Sequence, residues 1–445
     1  MLEIGYMHRK YILFLSLVSL LFSPITYNRA ATLYVSPSGT GTGAGTSWTD
    51  SATWANALTA ANPYDTILFT NGTYNHNIFI TKNALRLRSY NKWGAKILGA
   101  SGNHSITALD ANVSNVVDGF WVYKPWLTGI KFNGSYSSVS NCIVEEAGHG
   151  NPAWVTNNTG TFTGQGLEMH NVTGAWITHN YFYKGGARVN LDHGMYVNGT
   201  NIVIAYNVAI SNLCWGYQLY DGSGDNHNIQ FYGNIAAGNG GVPGSPGGGI
   251  VMYTYGAKSN YFFNNTIYSY RDGFYHNANG GAGRSFCTNN IIFGESGYVS
   301  AFGSAAGVMT GGYNWQNQLN TFAGALTNIT DKYTITNNYL AFFPDYGSGR
   351  FWLRSDSVAL GNGLLSANPP YNFWGQPYTR ADIGAAEFSM AHTFDTRNLI
   401  TDTTPDWWLM LLLGVPPLPS FPAEVDLGTI PSDYFLDCRP TYLPN

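Results

Sequence analysis

The sequence predicts an all-β chain wound as a single-stranded right-handed parallel β-helix, a solenoid with a short N-terminal capping helix. Three observations carry that prediction: a composition that suits strands, a spaced asparagine repeat, and a glycine register that repeats alongside it. Charged residues make up only 10% of the chain and aromatics 15%, with Gly 53 and Tyr 31. Such a mixture disfavours helices and favours strands, turns and ring-lined surfaces.

The asparagine repeat has the form apolar-x-x-Asn-apolar and recurs as ITHNYF, IAYNVA, FYGNIA, FNNTI and TNNIIF. Its asparagines are Asn180, Asn207, Asn234, Asn265 and Asn290, so the gaps are 27, 27, 31 and 25 residues. That period is too long for a hairpin and too short for a propeller blade, but it suits one solenoid coil. Stacked Asn side chains at a bend would hydrogen-bond one coil to the next.

A glycine opens a second strand in each coil: QGLEMH, HGMYVN, WGYQLY, GGIVMY and DGFYHN, with Gly166, Gly194, Gly216, Gly249 and Gly273. Because side chains alternate along a strand, Leu167, Met195, Tyr217, Ile250 and Phe274 form a core ladder. Glu168, Tyr196, Gln218, Val251 and Tyr275 then point outward, as do His170, Asn198, Tyr220, Tyr253 and Asn277 two positions later. Met169, Val197, Leu219, Met252 and His276 return to the core side, and His276 reads as a satisfied core histidine.

The ends of the chain follow the same logic. His8, Arg9 and Lys10 precede an apolar run from Tyr11 to Phe22, so residues 1–31 read as a signal peptide and the protein as secreted, cell-surface or periplasmic. The segment around Trp54, Leu58 and Ala61 has a helical apolar spacing, and a helix there would cover the open first coil. Residues 32–388 are expected to form one β-helix domain, and 389–445 an extension of unassigned role. Within that extension WWLMLLL at 407–413 is too short for a membrane span, so none is expected once the signal is removed.

Charge and cysteine content exclude several functions. A formal charge of −4 offers no basic stripe for nucleic acid. Cys142, Cys214, Cys287 and Cys438 lie far apart with no CxxC spacing, so no zinc or redox site is expected. No structural role is assigned to them, and a monomer is expected.

LYVSPSGTGTGAGTSW and ANPYDTILFTNGTY near the start, with FWLRSDSVALGNG at 351–363 and FWGQPYTRADIGAAEF at 373–388, carry a family likeness. In these segments the chain resembles secreted right-handed parallel β-helix proteins of the pectate-lyase-like superfamily. That superfamily includes polysaccharide lyases, glycoside hydrolases, uronan epimerases and non-catalytic adhesins. The resemblance implies a polysaccharide lying across several coils on the outside of a parallel sheet.

The outward stripe supplies a face for such a partner. Glu168, His170, Asn198, Trp215, Gln218, Tyr220, Tyr253, Asp272 and Tyr275 are candidate substrate-binding residues, since rings stack on sugar faces and amides and acids pair with hydroxyls. Eliminating across a uronate needs a neutralised carboxylate, a base for the C5 proton and an acid for the leaving oxygen. His193 and Tyr196 are the candidate base and acid, and Lys184, Arg188 and Arg271 the candidate cations. His193 has a plainer reading as a strand-edge hydrogen-bonding group. Arg188 and Arg271 have one as partners of Asp192 and Asp272.

Calcium is the one candidate cofactor, on Asp221 and Asp225 of LYDGSGDNHN, against the reading of that segment as a turn. Asp192-His193-Gly194 is similar to the Asp-Pro-His motif of mannuronan epimerases but lacks the proline, so that activity is not carried over. The expectation is a polysaccharide lyase acting on an acidic glycan. Two alternatives stay open: an inverting glycoside hydrolase using Glu168, Asp192 or Asp272, and an adhesin-like β-helix that binds glycan without cleaving it.

Overall fold

The computed structural model describes residues 30–108, 113–150, 164–188, 191–220, 226–240, 247–255, 258–269, 272–279, 283–294, 302–304, 308–316 and 332–333, then positions 357, 359–364, 369 and 382–385. Residues 1–29 of the expected signal segment 1–31, Asp221, Asp225, Arg271, Cys438 and residues 389–445 lie outside the described residues.

Among the described residues the strands form three parallel sheets of eleven, nine and eleven strands. Neighbours within a sheet are mostly three strands apart in sequence, so each coil gives one strand to each sheet. This is the right-handed parallel β-helix that the repeat predicts. The helix Trp54–Ala60 lies at the N-terminal end, where the Thr53 hydroxyl accepts from the Asn56 N–H at 3.4 Å and caps its first turn. Ala57 and Leu58 are its buried positions, and Trp54 packs against the solenoid core.

The predicted core ladder is present in register. Leu167 pairs with Met195, Met195 with Tyr217, Tyr217 with Ile250, and Ile250 with Phe274. All five are buried. His276 is buried among them, within reach of the Thr254 hydroxyl at 2.9 Å and the Ser285 hydroxyl at 3.3 Å.

The asparagine ladder joins successive coils through both backbone and side chain. Asn180 donates its N–H and its Nδ2 to Asn207 Oδ1, both at 3.0 Å. Asn207 does the same to Asn234, Asn234 to Asn265 and Asn265 to Asn290. Asn314, outside the predicted set, extends the ladder by one coil, and the Cys142 N–H ends it on Asn180 Oδ1. The residue before each rung bends the chain with positive φ: His179 58°, Tyr206 57°, Gly233 63°, Asn264 52°, Asn289 57° and Tyr313 60°. Asn is the non-glycine residue best suited to this conformation, and it occupies two of these bends.

The strand-opening glycines have a different cause, close approach between coils. A Cβ on Gly166 would meet the Gly194 carbonyl oxygen at 2.3 Å, and one on Gly194 would meet the Gly216 oxygen at 2.6 Å. Any side chain there would push adjacent coils apart. Cys142, Cys214 and Cys287 are buried and form no disulfide among the described residues. Among the described residues no helix is long and apolar enough to cross a membrane.

Candidate functional site

The nine-stranded sheet carries the predicted stripe on its outer side. From the N-terminal end its strands are Ile78–Ile80, Ile106–Ala108, Ile130–Phe132, Leu167–Thr173, Met195–Thr200, Trp215–Leu219, Gly248–Tyr255, Asp272–Asn279 and Phe302–Ser304. The outward positions align as Phe79, Thr107, Lys131, Glu168, Tyr196, Gln218, Val251 and Tyr275. Outward does not mean exposed throughout. Glu168 is only 4% exposed, and Val251 is buried in a small apolar cluster with Cys214 and Trp215, against which Tyr253 and Tyr275 pack.

Glu168 is the hub of a charged cluster. Its Oε1 accepts from Lys131 Nζ at 2.7 Å and lies 2.8 Å from His170 Nε2, while Oε2 accepts from the Thr128 hydroxyl at 2.8 Å. Burial alone would raise its pKa, but the hydrogen bonds from His170 and Lys131 and the Lys131 charge outweigh that and hold the carboxyl well below its usual range. Glu168 is therefore a fixed anion that orients a cation and an imidazole. The remaining His170 nitrogen, Nδ1, lies 3.5 Å from Asn198 Nδ2, and the His170 ring is 4.9 Å from that of Tyr196.

An aromatic row continues from there. Tyr196 lies 5.9 Å from Tyr220, and Tyr220 lies 4.8 Å from Tyr253 in an edge-on contact. Burial first, then the neighbouring Tyr275 and Tyr220, push the Tyr253 phenol up. Burial and Asp272 do the same to Tyr275. These hydroxyls stay protonated at neutral pH and can donate to a ligand's oxygens.

His193 sits behind this row, not on it. It is 2% exposed, its Nδ1 accepts from the Trp215 N–H at 3.2 Å, and its ring shares a hydrogen bond with the Gln218 side chain. Burial first, and then the Arg188 charge, pull its pKa down to about 3. A neutral imidazole accepting at Nδ1 carries its proton on Nε2, so His193 fixes Gln218 and stacks 6.0 Å from Tyr196.

Of the three predicted cations, Arg188 is committed to Asp192. Its Nε and Nη2 donate to Asp192 Oδ1 at 3.0 and 2.7 Å, and Asp192 Oδ2 accepts the N–H groups of Ala187 and Arg188 at 2.9 and 2.8 Å. Asp192 is fully buried, so the plainer pairing weighed for Arg188 is the one formed. Lys184 occupies a positive-φ bend with its ammonium 5.0 Å over the Tyr183 ring, on the adjoining sheet. Arg271 lies outside the described residues. Trp215 is buried and contributes its backbone N–H to His193, and Asp272 lies beside Tyr275 at the far end of the row.

The sequence reading missed Lys131 and Thr128. Their signal is in the glycine register one coil upstream, where TGIKFN at 128–133 repeats the spacing of QGLEMH with Gly129 in place of Gly166. The 37-residue gap to the next glycine hides it. Among the described residues no group of three or more His, Cys, Asp or Glu could hold a metal ion. The proposed calcium ligands Asp221 and Asp225 are not among them.

No protein-family model matches the chain, and no curated protein matches it. Solved structures do. Pectate lyase Pel9A is similar at 14% identity and a TM-score of 0.60, over 82% of this chain and 98% of that one. The PL6 family polysaccharide lyase Pedsa3628 from Pseudopedobacter saltans aligns at 11% identity and a TM-score of 0.35, over 76% and 98%. The catalytic domain of a GH87 α-1,3-glucanase aligns at 13% and 0.34, over 68% of each chain. The likeness to Pel9A, together with the three parallel sheets, shows the right-handed parallel β-helix fold of pectate lyases. At these identities the likeness establishes the fold alone.

Proposed function

We propose that the protein is an exported carbohydrate-active enzyme that cleaves a uronate-containing polysaccharide by β-elimination across the outer face of the nine-stranded sheet. The observation that carries this reading is the Lys131–Glu168–His170 cluster standing beside Tyr196 at the head of an aromatic row. Lys131 meets the substrate carboxylate and makes the C5 proton more acidic by stabilising the charge that develops there. Proton transfer runs through His170 and Tyr196, which adjoin on the open side of the sheet. Glu168 keeps Lys131 and His170 in place, His193 holds Gln218, and Tyr220 and Tyr253 stack on further sugars.

Inverting hydrolysis has less support. It requires two carboxyls about 6.5–9.5 Å apart. Glu168 and Asp272 stand four strands apart in the sheet, roughly 19 Å at about 4.8 Å per strand. Asp192 has both oxygens occupied and is buried.

The test is incubation of the purified protein with polygalacturonate, alginate and glucuronan while recording ultraviolet absorbance from unsaturated chain ends. Absorbance that is lost in Lys131→Ala and His170→Ala supports elimination. New reducing ends without absorbance would mean hydrolysis, and retained binding with neither product would mean a glycan-binding protein without catalysis.

A further inference from the structure

The N-terminal end of the same face holds a cleft that the cluster around Glu168 does not use. It has a volume of about 350 Å³ and lies where the helix Trp54–Ala60 meets the loop before the strand Ile78–Ile80. Its walls are Trp54, Tyr74, His76 and Phe79, with Asn75 and Asn77 among the polar lining. Phe79 is 41% exposed, an unusual position for a large apolar ring on a strand whose other two residues are buried. Tyr74, by contrast, is buried, and its hydroxyl donates to the carbonyls of Val35 and Thr70 at 3.1 and 3.0 Å, so it makes a fixed wall.

Phe79 is in register with Thr107, and Thr107 with Lys131. The cleft therefore lies on the same outer side of the sheet as the row that leads to Glu168 and Tyr196, with the buried Thr107 between them. Phe79 and Glu168 are three strands apart, roughly 14 Å at about 4.8 Å per strand. A polymer lying across the coils at Tyr196 reaches the cleft several rings away.

The lining sets the chemistry of what binds. None of its residues is Lys, Arg, Asp or Glu, so it offers no fixed charge to a carboxylate. It offers ring faces for the C–H face of a sugar and amides for hydroxyls. We propose that this cleft is a subsite for an uncharged sugar residue, so that the preferred polymer carries neutral sugars several units away from the uronate bond that is cut. The inference rests on the glycan reading of the sheet face, and it narrows the substrate class to mixed neutral and acidic polysaccharides.

The experiment is titration calorimetry of the full-length protein with neutral hexasaccharides (xylohexaose, cellohexaose and mannohexaose) and with a uronate trisaccharide, using wild type, Phe79→Ala, His76→Ala and the control Tyr90→Ala. Tyr90 is 59% exposed and is not part of the cleft lining. Losing one stacking ring should weaken binding of a neutral hexasaccharide by roughly three- to ten-fold in Phe79→Ala, with no change in Tyr90→Ala or in trisaccharide binding. Equal affinity of Phe79→Ala and wild type, or no binding of any neutral hexasaccharide by wild type, would overturn the proposal. Elimination activity is scored separately. Phe79-dependent binding without elimination would leave the subsite standing and remove the lyase reading, whereas elimination with Phe79-independent binding would do the reverse.

Discussion

Replacing Asp192 by Asn should destabilise the protein by about 3–5 kcal/mol, because it leaves a buried guanidinium without its counter-charge. Four hydrogen bonds converge on this carboxylate, two from the Arg188 side chain and two from backbone N–H groups. Asn keeps the shape but has a single accepting oxygen. Its Nδ2 must face either the guanidinium or the two N–H donors, so one pair of donors loses its acceptor. Arg188 is only 9% exposed, and water cannot easily replace that acceptor. The double variant Arg188→Met with Asp192→Asn should recover much of the loss, since the amide oxygen can serve the backbone while the amide nitrogen no longer meets a cation. Urea unfolding followed by tryptophan fluorescence measures both, with turnover recorded at a temperature where each variant is folded. If Asp192→Asn unfolds within about 1 kcal/mol of wild type and yet abolishes turnover, the pair acts on substrate and the structural reasoning fails.

Further outcomes follow from the same contacts. Asn207→Ala removes a rung that accepts two bonds from Asn180 and donates to Asn234 and Ile177, so thermal unfolding should show a loss of about 3 kcal/mol or more. His104, His179, His193 and His276 are held neutral, mainly by burial, with values near 4, 3, 3 and 4. Each binds its proton more readily unfolded, near pH 6.5, so stability should be level above that pH and fall as pH drops towards 4. The loss is at most about 2 kcal/mol per histidine at pH 5. Melting temperature against pH reads it, and His179→Gln should flatten the acid limb. Below the ordinary carboxylate range the contribution of Glu168 is lost as well, because its folded value is lowered. His170→Ala should lower kcat on a uronate polymer by roughly 10²- to 10⁴-fold, the loss typical of a missing proton-transfer group. It is measured at a temperature where the variant is folded, because the change also removes a hydrogen bond from the buried Glu168. Unchanged kcat would remove His170 from the chemistry.

The coil period was legible because each physical cause repeats in sequence. Asn207 must be Asn to bond the rungs above and below it, and Gly194 must be Gly because the next coil's carbonyl lies where a Cβ would sit. Alternation then placed Glu168, Tyr196, Gln218 and Tyr275 on one side of the sheet. The fate of each side chain on that side was not legible. Alternation gives a direction and no depth, so His193, Arg188 and Trp215 looked like candidates until the tertiary structure showed them buried. Lys131 went unseen for the complementary reason, since its coil is separated from the next by an insertion that breaks the period.

The sequence by itself determined the solenoid, its core ladder, the asparagine rungs and the set of positions that point outward from the nine-stranded sheet. These depend on contacts between equivalent positions of neighbouring coils. The tertiary structure decided which charges cancel and which stand together. Arg188 is spent on Asp192 four residues away, while Glu168 gathers Lys131 and Thr128 from a coil 37 and 40 residues earlier and His170 from its own strand. Burial and pairing are properties of what packs around a group, and insertions of unequal length between coils leave no fixed spacing that would record them.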